Sequence, residues 1–124
     1  MLQDIYRKEA IHGEFIFTSP YKYVKGFRYF QTIFGIASNI KGYEITEDLL
    51  ITKVFPNVSG GFFRIKVARN GMDIDVLDFS SPHSRDARPC VSTNIPLYKG
   101  DNLKLCLVNG MLSYPVVVLK YIMI

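Results

Sequence analysis

The chain holds two histidines and two cysteines among 124 residues. That is too few to expect a zinc site. Cys90 and Cys106 both fall in segments that read as strands, so buried free thiols are expected there rather than a disulfide. Charge is sparse as well. Charged residues make up 21% of the chain, the formal net charge is +4, and the basic residues form no run of five. A polyanion site needs cations gathered on one face, so this spread argues against nucleic acid as a partner. The first residues, Met1 to Glu9, contain no apolar stretch, so no secretory leader is expected and the location would be cytoplasmic. The longest apolar run, Val116 to Ile124, is short and interrupted by Lys120, which excludes a membrane-spanning helix. Gly60-Gly61 is followed by neither a lysine nor a helix, so it is not a phosphate loop. There is no Gly-x-Ser-x-Gly elbow, and no amphipathic helical pattern after residue 13.

What is present is apolar and aromatic. Hydrophobic residues reach 48%, with nine Phe and eight Tyr. The length fits one domain with its own core. Excess apolar residues on a small domain imply that part of its surface is covered by other subunits. Residues 1–13 read as an N-terminal arm or short helix, with Leu2 and Ile5 at helical spacing and Gly13 as a stop. Residues 14–124 read as a single β-domain.

Strand signals follow one another from Glu14 onward. Glu14 to Phe17 is short. Phe27 to Ala37 is long, with Gly35 marking a bulge or bend. Tyr43 to Ile45 is brief, and Leu49 to Phe55 is closed by Pro56. Phe63, Ile65 and Val67 alternate with Arg64 and Lys66, the pattern of a sheet with one wet face. Arg69-Asn70-Gly71-Met72 is a strong hairpin signal, because both central residues need positive φ. Met72, Ile74 and Val76 are then expected inward. Asp73 and Asp75 are expected outward, across from Arg64, Lys66 or Arg69. Cys90 to Ile95, Leu103 to Val108 and Val116 to Met123 complete the set. The spacing predicts an all-β fold, an antiparallel β-sandwich of eight to nine strands. The expected core is Phe15, Phe17, Ile33, Ile51, Phe63, Ile65, Val67, Ile74, Val76, Leu103, Leu105, Leu107, Val116 and Val118.

Candidate sites are few. The polar segment Ser80 to Pro89 gathers His83, Arg85, Asp86 and Arg88, which suit a carboxylate, phosphate, sugar or partner contact. Ser81, His83 and Asp86 do not make a triad, because triads draw on distant segments held in fixed geometry. Glu44, Glu47 and Asp48 lack the dense spacing of a calcium loop. No catalytic residue, metal or cofactor is expected. Tyr21, Tyr23, Phe27, Tyr29, Phe30 and Phe34, with Lys22, Lys25 and Arg28 between them, form either a stacking face for sugar or bases or a mixture of core and interface rings. The apolar end, Tyr121, Ile122, Met123 and Ile124, is expected to be paired in a sheet or covered by a partner.

The segment Ile95-Pro96-Leu97-Tyr98-Lys99-Gly100-Asp101-Asn102-Leu103-Lys104-Leu105 resembles the corner before the penultimate strands of small viral jelly-roll proteins. The resemblance implies a jelly-roll sandwich and a virion component, such as a vertex (penton) or minor capsid protein of a tailless icosahedral phage or virus. It implies a homo-oligomer packed against neighbouring structural proteins. Two other functions fit the residues. One is a non-catalytic carbohydrate-binding sandwich. The other is a small barrel for single-stranded nucleic acid, which requires Arg28, Tyr29, Arg64 and Lys66 on one face.

Overall fold

The computed structural model describes residues 11–19, 23–32, 42–56, 60–81 and 90–124. Within them the regular elements are all strands: β1 (His12–Thr18), β2 (Tyr23–Lys25), β3 (Arg28–Tyr29), β4 (Gln31–Thr32), β5 (Tyr43–Glu44), β6 (Leu49–Pro56), β7 (Phe62–Arg69), β8 (Met72–Ser80), β9 (Val91–Leu97), β10 (Asn102–Asn109), β11 (Met111–Ser113) and β12 (Val116–Met123). One sheet runs β4-β1-β12-β6-β9. The second runs β3-β10-β7-β8, with β5 also on β10, and β11 forms a short ribbon with β2.

Four pairings explain this order. β7 pairs with β8, β6 with β9, β3 with β10 and β1 with β12, all antiparallel. Moving outward from the β7–β8 hairpin, each step joins an earlier segment to a later one. The chain is therefore one long antiparallel ribbon wrapped into two facing sheets, the jelly-roll path. The ribbon starts at the hairpin anticipated above: Asn70 and Gly71 have φ of 54° and 76°, the pair of left-handed residues that this turn demands.

Between the sheets lie Phe15, Phe17, Ile51, Phe63, Ile65, Val67, Leu103, Leu105 and Leu107, all buried as their alternation predicts. Phe30, Ile45, Val54, Leu97, Val117 and Leu119 join them. Ile33 lies outside the described residues, as do residues 1–10 of the expected arm.

Several expectations need correction. Val116 and Val118 are only half-buried, while Val117 and Leu119 are fully buried. Val117 pairs with Phe17 and Leu119 with Phe15, so the odd positions face the core. Ile74 does not belong to the core and Met72 is well exposed. β8 is an edge strand whose first residues are exposed, and a register shift at Val76, between Asp75 and Leu77, passes the burial to Phe79. Val76 is partly buried against the core. The segment expected as one strand from Phe27 breaks at buried Phe30, so that β3 joins the second sheet and β4 the first. Cys90 is exposed and only Cys106 is buried; neither is bonded.

Candidate functional site

Three surfaces carry the chemistry. The outward face of the second sheet is a charge ladder. Arg64 donates to Asp78 through Nε at 2.7 Å and Nη2 at 3.1 Å, and lies 3.6 Å from Asp75. Lys66 reaches Asp75 at 3.5 Å, and Lys104 donates to Asp73 at 3.1 Å. Three carboxylates of edge strand β8 thus meet three cations of β7 and β10, so this face neutralises itself. Hydrogen bonding to Arg64 holds the Asp78 carboxyl below its usual range. Lys104, which alternates with leucines along β10, is almost wholly buried. Its strand lies inside the sheet, with β7 on one side and β3 and β5 on the other.

The ladder bears on the nucleic-acid alternative. Tyr29 and Arg64 flank Cys106 in one row, so both point outward with Lys66. Arg28 pairs with inward-pointing Leu107 and has the opposite phase. The required four residues do not share a face, and Arg64 and Lys66 already have carboxylates.

The second surface is the corner at one end of the sandwich. Asp101 is buried and accepts hydrogen bonds from Arg69 Nε at 3.0 Å and Nη2 at 2.7 Å. Its Oδ2 also accepts Tyr98 N–H at 2.9 Å, and the Arg69 guanidinium lies over the Tyr98 ring. The Arg69 hydrogen bonds are the main reason why the Asp101 carboxyl sits below its ordinary value. Arg69 continues the inward phase of Phe63, Ile65 and Val67, and the rim of the core is where it finds this carboxylate. The corner that carried the jelly-roll resemblance is thus a structural clasp: Asp101 locks its own turn to the end of β7.

The third surface is the opposite end. There Gly26 N–H donates to Gly110 C=O, Ser81 N–H to Gly61 C=O, and Thr18 Oγ1 to Pro115 C=O. These bonds tie the β2–β3, β6–β7, β8–β9, β10–β11 and β11–β12 connections, and the end of β1, at this end of the sandwich. Buried Val24 and Leu112 fasten the β2–β11 ribbon inward. Tyr23 (67% exposed), Met111 (74%) and Tyr114 (64%) face out, with Phe27 and Phe62 also exposed. Phe27 packs edge-on against Tyr29, 5.3 Å between centroids. Tyr114 has φ of 48°, a left-handed conformation unusual for a bulky side chain.

The sequence-predicted residues are placed as follows. His83, Arg85, Asp86 and Arg88 lie outside the described residues, as do Tyr21, Lys22 and Phe34. Tyr121 is partly buried and stacks on Phe15 at 4.6 Å. Ile122 and Met123 are half-buried, and Ile124 is exposed. Of the aromatic cluster, Phe30 belongs to the core while Tyr23 and Phe27 are surface rings. Sequence reasoning passed over Met111 and Tyr114; Asn109-Gly110 before Tyr114-Pro115 marked an exposed loop and was the available signal. Among the described residues no group of three metal-ligating side chains occurs, and no helix is long and apolar enough to cross a membrane.

No protein-family model and no curated protein matches the sequence. Among solved structures, the chain is similar to the PRD1 vertex protein P5, with 16% identity and a TM-score of 0.54, over 94% of this chain and 99% of that one. It is also similar to the nucleoplasmin-like N-terminal domain of Drosophila FKBP39, with 16% identity and a TM-score of 0.49, over 93% of this chain and 90% of that one. At such identity the likeness to the vertex protein is one of fold alone.

Proposed function

We propose that this chain is a non-enzymatic assembly protein, a capsid or vertex component of a virion that acts as a symmetric oligomer beside other structural proteins. The observation that carries the reading is the loop end bearing Tyr23, Phe27, Met111 and Tyr114. Exposed aromatic and methionine side chains grouped on a rigid scaffold are the usual composition of a protein interface. The scaffold supports the same reading, since its fold is shared over nearly its whole length with a vertex protein. Strain held at Tyr114 is consistent with a ring fixed for contact rather than one left to solvent.

Light scattering after size exclusion, at low and moderate salt, tests this. A fixed oligomer that dissociates when Tyr23 and Tyr114 are changed to Ala is expected. A monomer at all concentrations would end the assembly reading.

A second reading draws on the same tyrosines. Exposed rings on a sandwich end can stack on the apolar face of a sugar. It predicts glycan binding that is lost in Tyr23→Ala while the molar mass stays unchanged.

A further inference from the structure

The outward face of the first sheet is built in rows across β1, β12 and β6. Ile16, Val118 and Phe55 form one row, and His12, Ile122 and Leu50 another. Between them runs Glu14, Lys120 and Lys53. The apolar members are half-buried and have the phase opposite to Phe15, Phe17, Val54, Val117 and Leu119, which face the core. Glu14 lies 3.7 Å from Lys120, whose ammonium also sits over the Phe55 ring. Lys53 is directly opposite Lys120 in register, and both are exposed. Like charges directly opposite in an antiparallel pair are destabilising. Lys53 has no ion pair to any described residue. The face therefore carries uncompensated positive charge between two apolar rows.

The same chain carries a complement. Glu44 and Glu47 are exposed on either side of buried Ile45, at the turn before β6, and form no ion pair with a described residue. The other described carboxylates are engaged. Asp73, Asp75 and Asp78 serve the ladder, Asp101 holds Arg69, Glu14 holds Lys120, and Asp48 accepts Lys99 N–H. Among the described residues, Glu44 and Glu47 are thus the acidic side chains left to meet an incoming lysine.

We infer that the outward face of the first sheet receives a second copy of this chain, with Glu44 and Glu47 of the incoming copy set against Lys53 and Lys120. This rests on the assembly reading above and adds a second contact to the one at the aromatic loop end. The two patches are different parts of one chain, so the contact is head-to-tail and closes a ring when its rotation divides the circle. The flanking apolar rows exclude water from the charge pairs, which strengthens them. They also favour a protein over a bare polyanion, which is held by cations alone.

Charge reversal with rescue is the test, read as molar mass by light scattering across a dilution series. Lys53→Glu is expected to weaken association about tenfold or more while leaving the melting temperature unchanged or slightly raised, since it relieves repulsion of Lys120. Glu44→Lys with Glu47→Lys is expected to do the same. Combining all three changes is expected to restore the wild-type mass. An oligomer whose mass ignores both reversals, or that fails to recover in the combined variant, overturns this interface and leaves the assembly reading standing. A wild-type monomer overturns both. Loss of oligothymidylate binding in Lys53→Glu at unchanged mass makes the face a polyanion site and overturns the inference as well.

Discussion

Gly13 and Tyr121 are register partners on β1 and β12, and the tyrosine ring occupies the space that a side chain at Gly13 would need. The ring then stacks on Phe15. A glycine in a strand ordinarily weakens it, and an aromatic laid across the gap recovers the lost packing. Gly13→Ala is therefore expected to cost roughly 1–3 kcal/mol by overpacking, and Tyr121→Ala a similar amount through lost ring contact. In the Tyr121→Ala background, Gly13→Ala is expected to be nearly neutral. Urea unfolding of the four proteins of this cycle checks it; additive costs would show that the two residues do not share the site.

Asp101 makes the fold acid-sensitive. An unfolded aspartate takes up its proton near 3.8, and in the folded chain Arg69 holds Asp101 lower. Between those two values the unfolded chain binds more protons, so stability falls as pH drops below about 3.8 and is fully present above it. Asp101→Asn is expected to cost roughly 1.5–3 kcal/mol at neutral pH, the range for hydrogen bonds to a charged group. It should also flatten the acid limb of a stability-against-pH curve.

The ladder separates a buried ammonium from more exposed cations. Lys104 has a side chain only 7% exposed, whereas Arg64 has 27%. Asp73→Ala strands a nearly buried ammonium and is expected to cost about 1–3 kcal/mol. Asp75→Ala removes a partner in solvent and should cost under about 1 kcal/mol, less still in high salt. Equal costs in thermal unfolding would contradict this placement of Lys104.

Tyr114 offers a test in which stability and assembly move in opposite directions. Tyr114→Gly removes a side chain from a left-handed backbone and is expected to stabilise the subunit by about 1 kcal/mol. The same change should lower the oligomer fraction. A variant that is both less stable and unaltered in mass would assign the residue to packing instead.

Thiol labelling distinguishes the cysteines. Cys90 is exposed, while Cys106 is buried in β10 with its thiol pushed up by desolvation. Native protein is expected to take one equivalent of iodoacetamide, at Cys90, with Cys106 reacting only after unfolding. Peptide mass spectrometry reads the position directly.

The jelly-roll path was legible because its elements announce themselves locally. Asn70-Gly71 names its turn, Phe63-Ile65-Val67 its buried face, and Leu103-Leu105-Leu107 the strand that returns between neighbours. The loop end was only partly legible. Tyr23 and Phe27 stood out by residue type, but nothing in the chain order says that Met111 and Tyr114 arrive beside the same turns. The binding loop proposed from His83, Arg85, Asp86 and Arg88 lies outside the described residues.

Sequence alone determined the strand-rich composition, the hairpin and the alternating strands, since turn chemistry and period-two burial act over a few neighbouring residues. Tertiary structure decided which side of an all-apolar strand is covered. Val116 to Leu119 offer two faces of equal hydrophobicity, and only pairing with Phe15 and Phe17 turns Val117 and Leu119 inward. It likewise decided that Ile74 stays exposed and Lys104 does not. Burial depends on a strand's place in its sheet, edge or centre, and a single bulge reverses every phase beyond it.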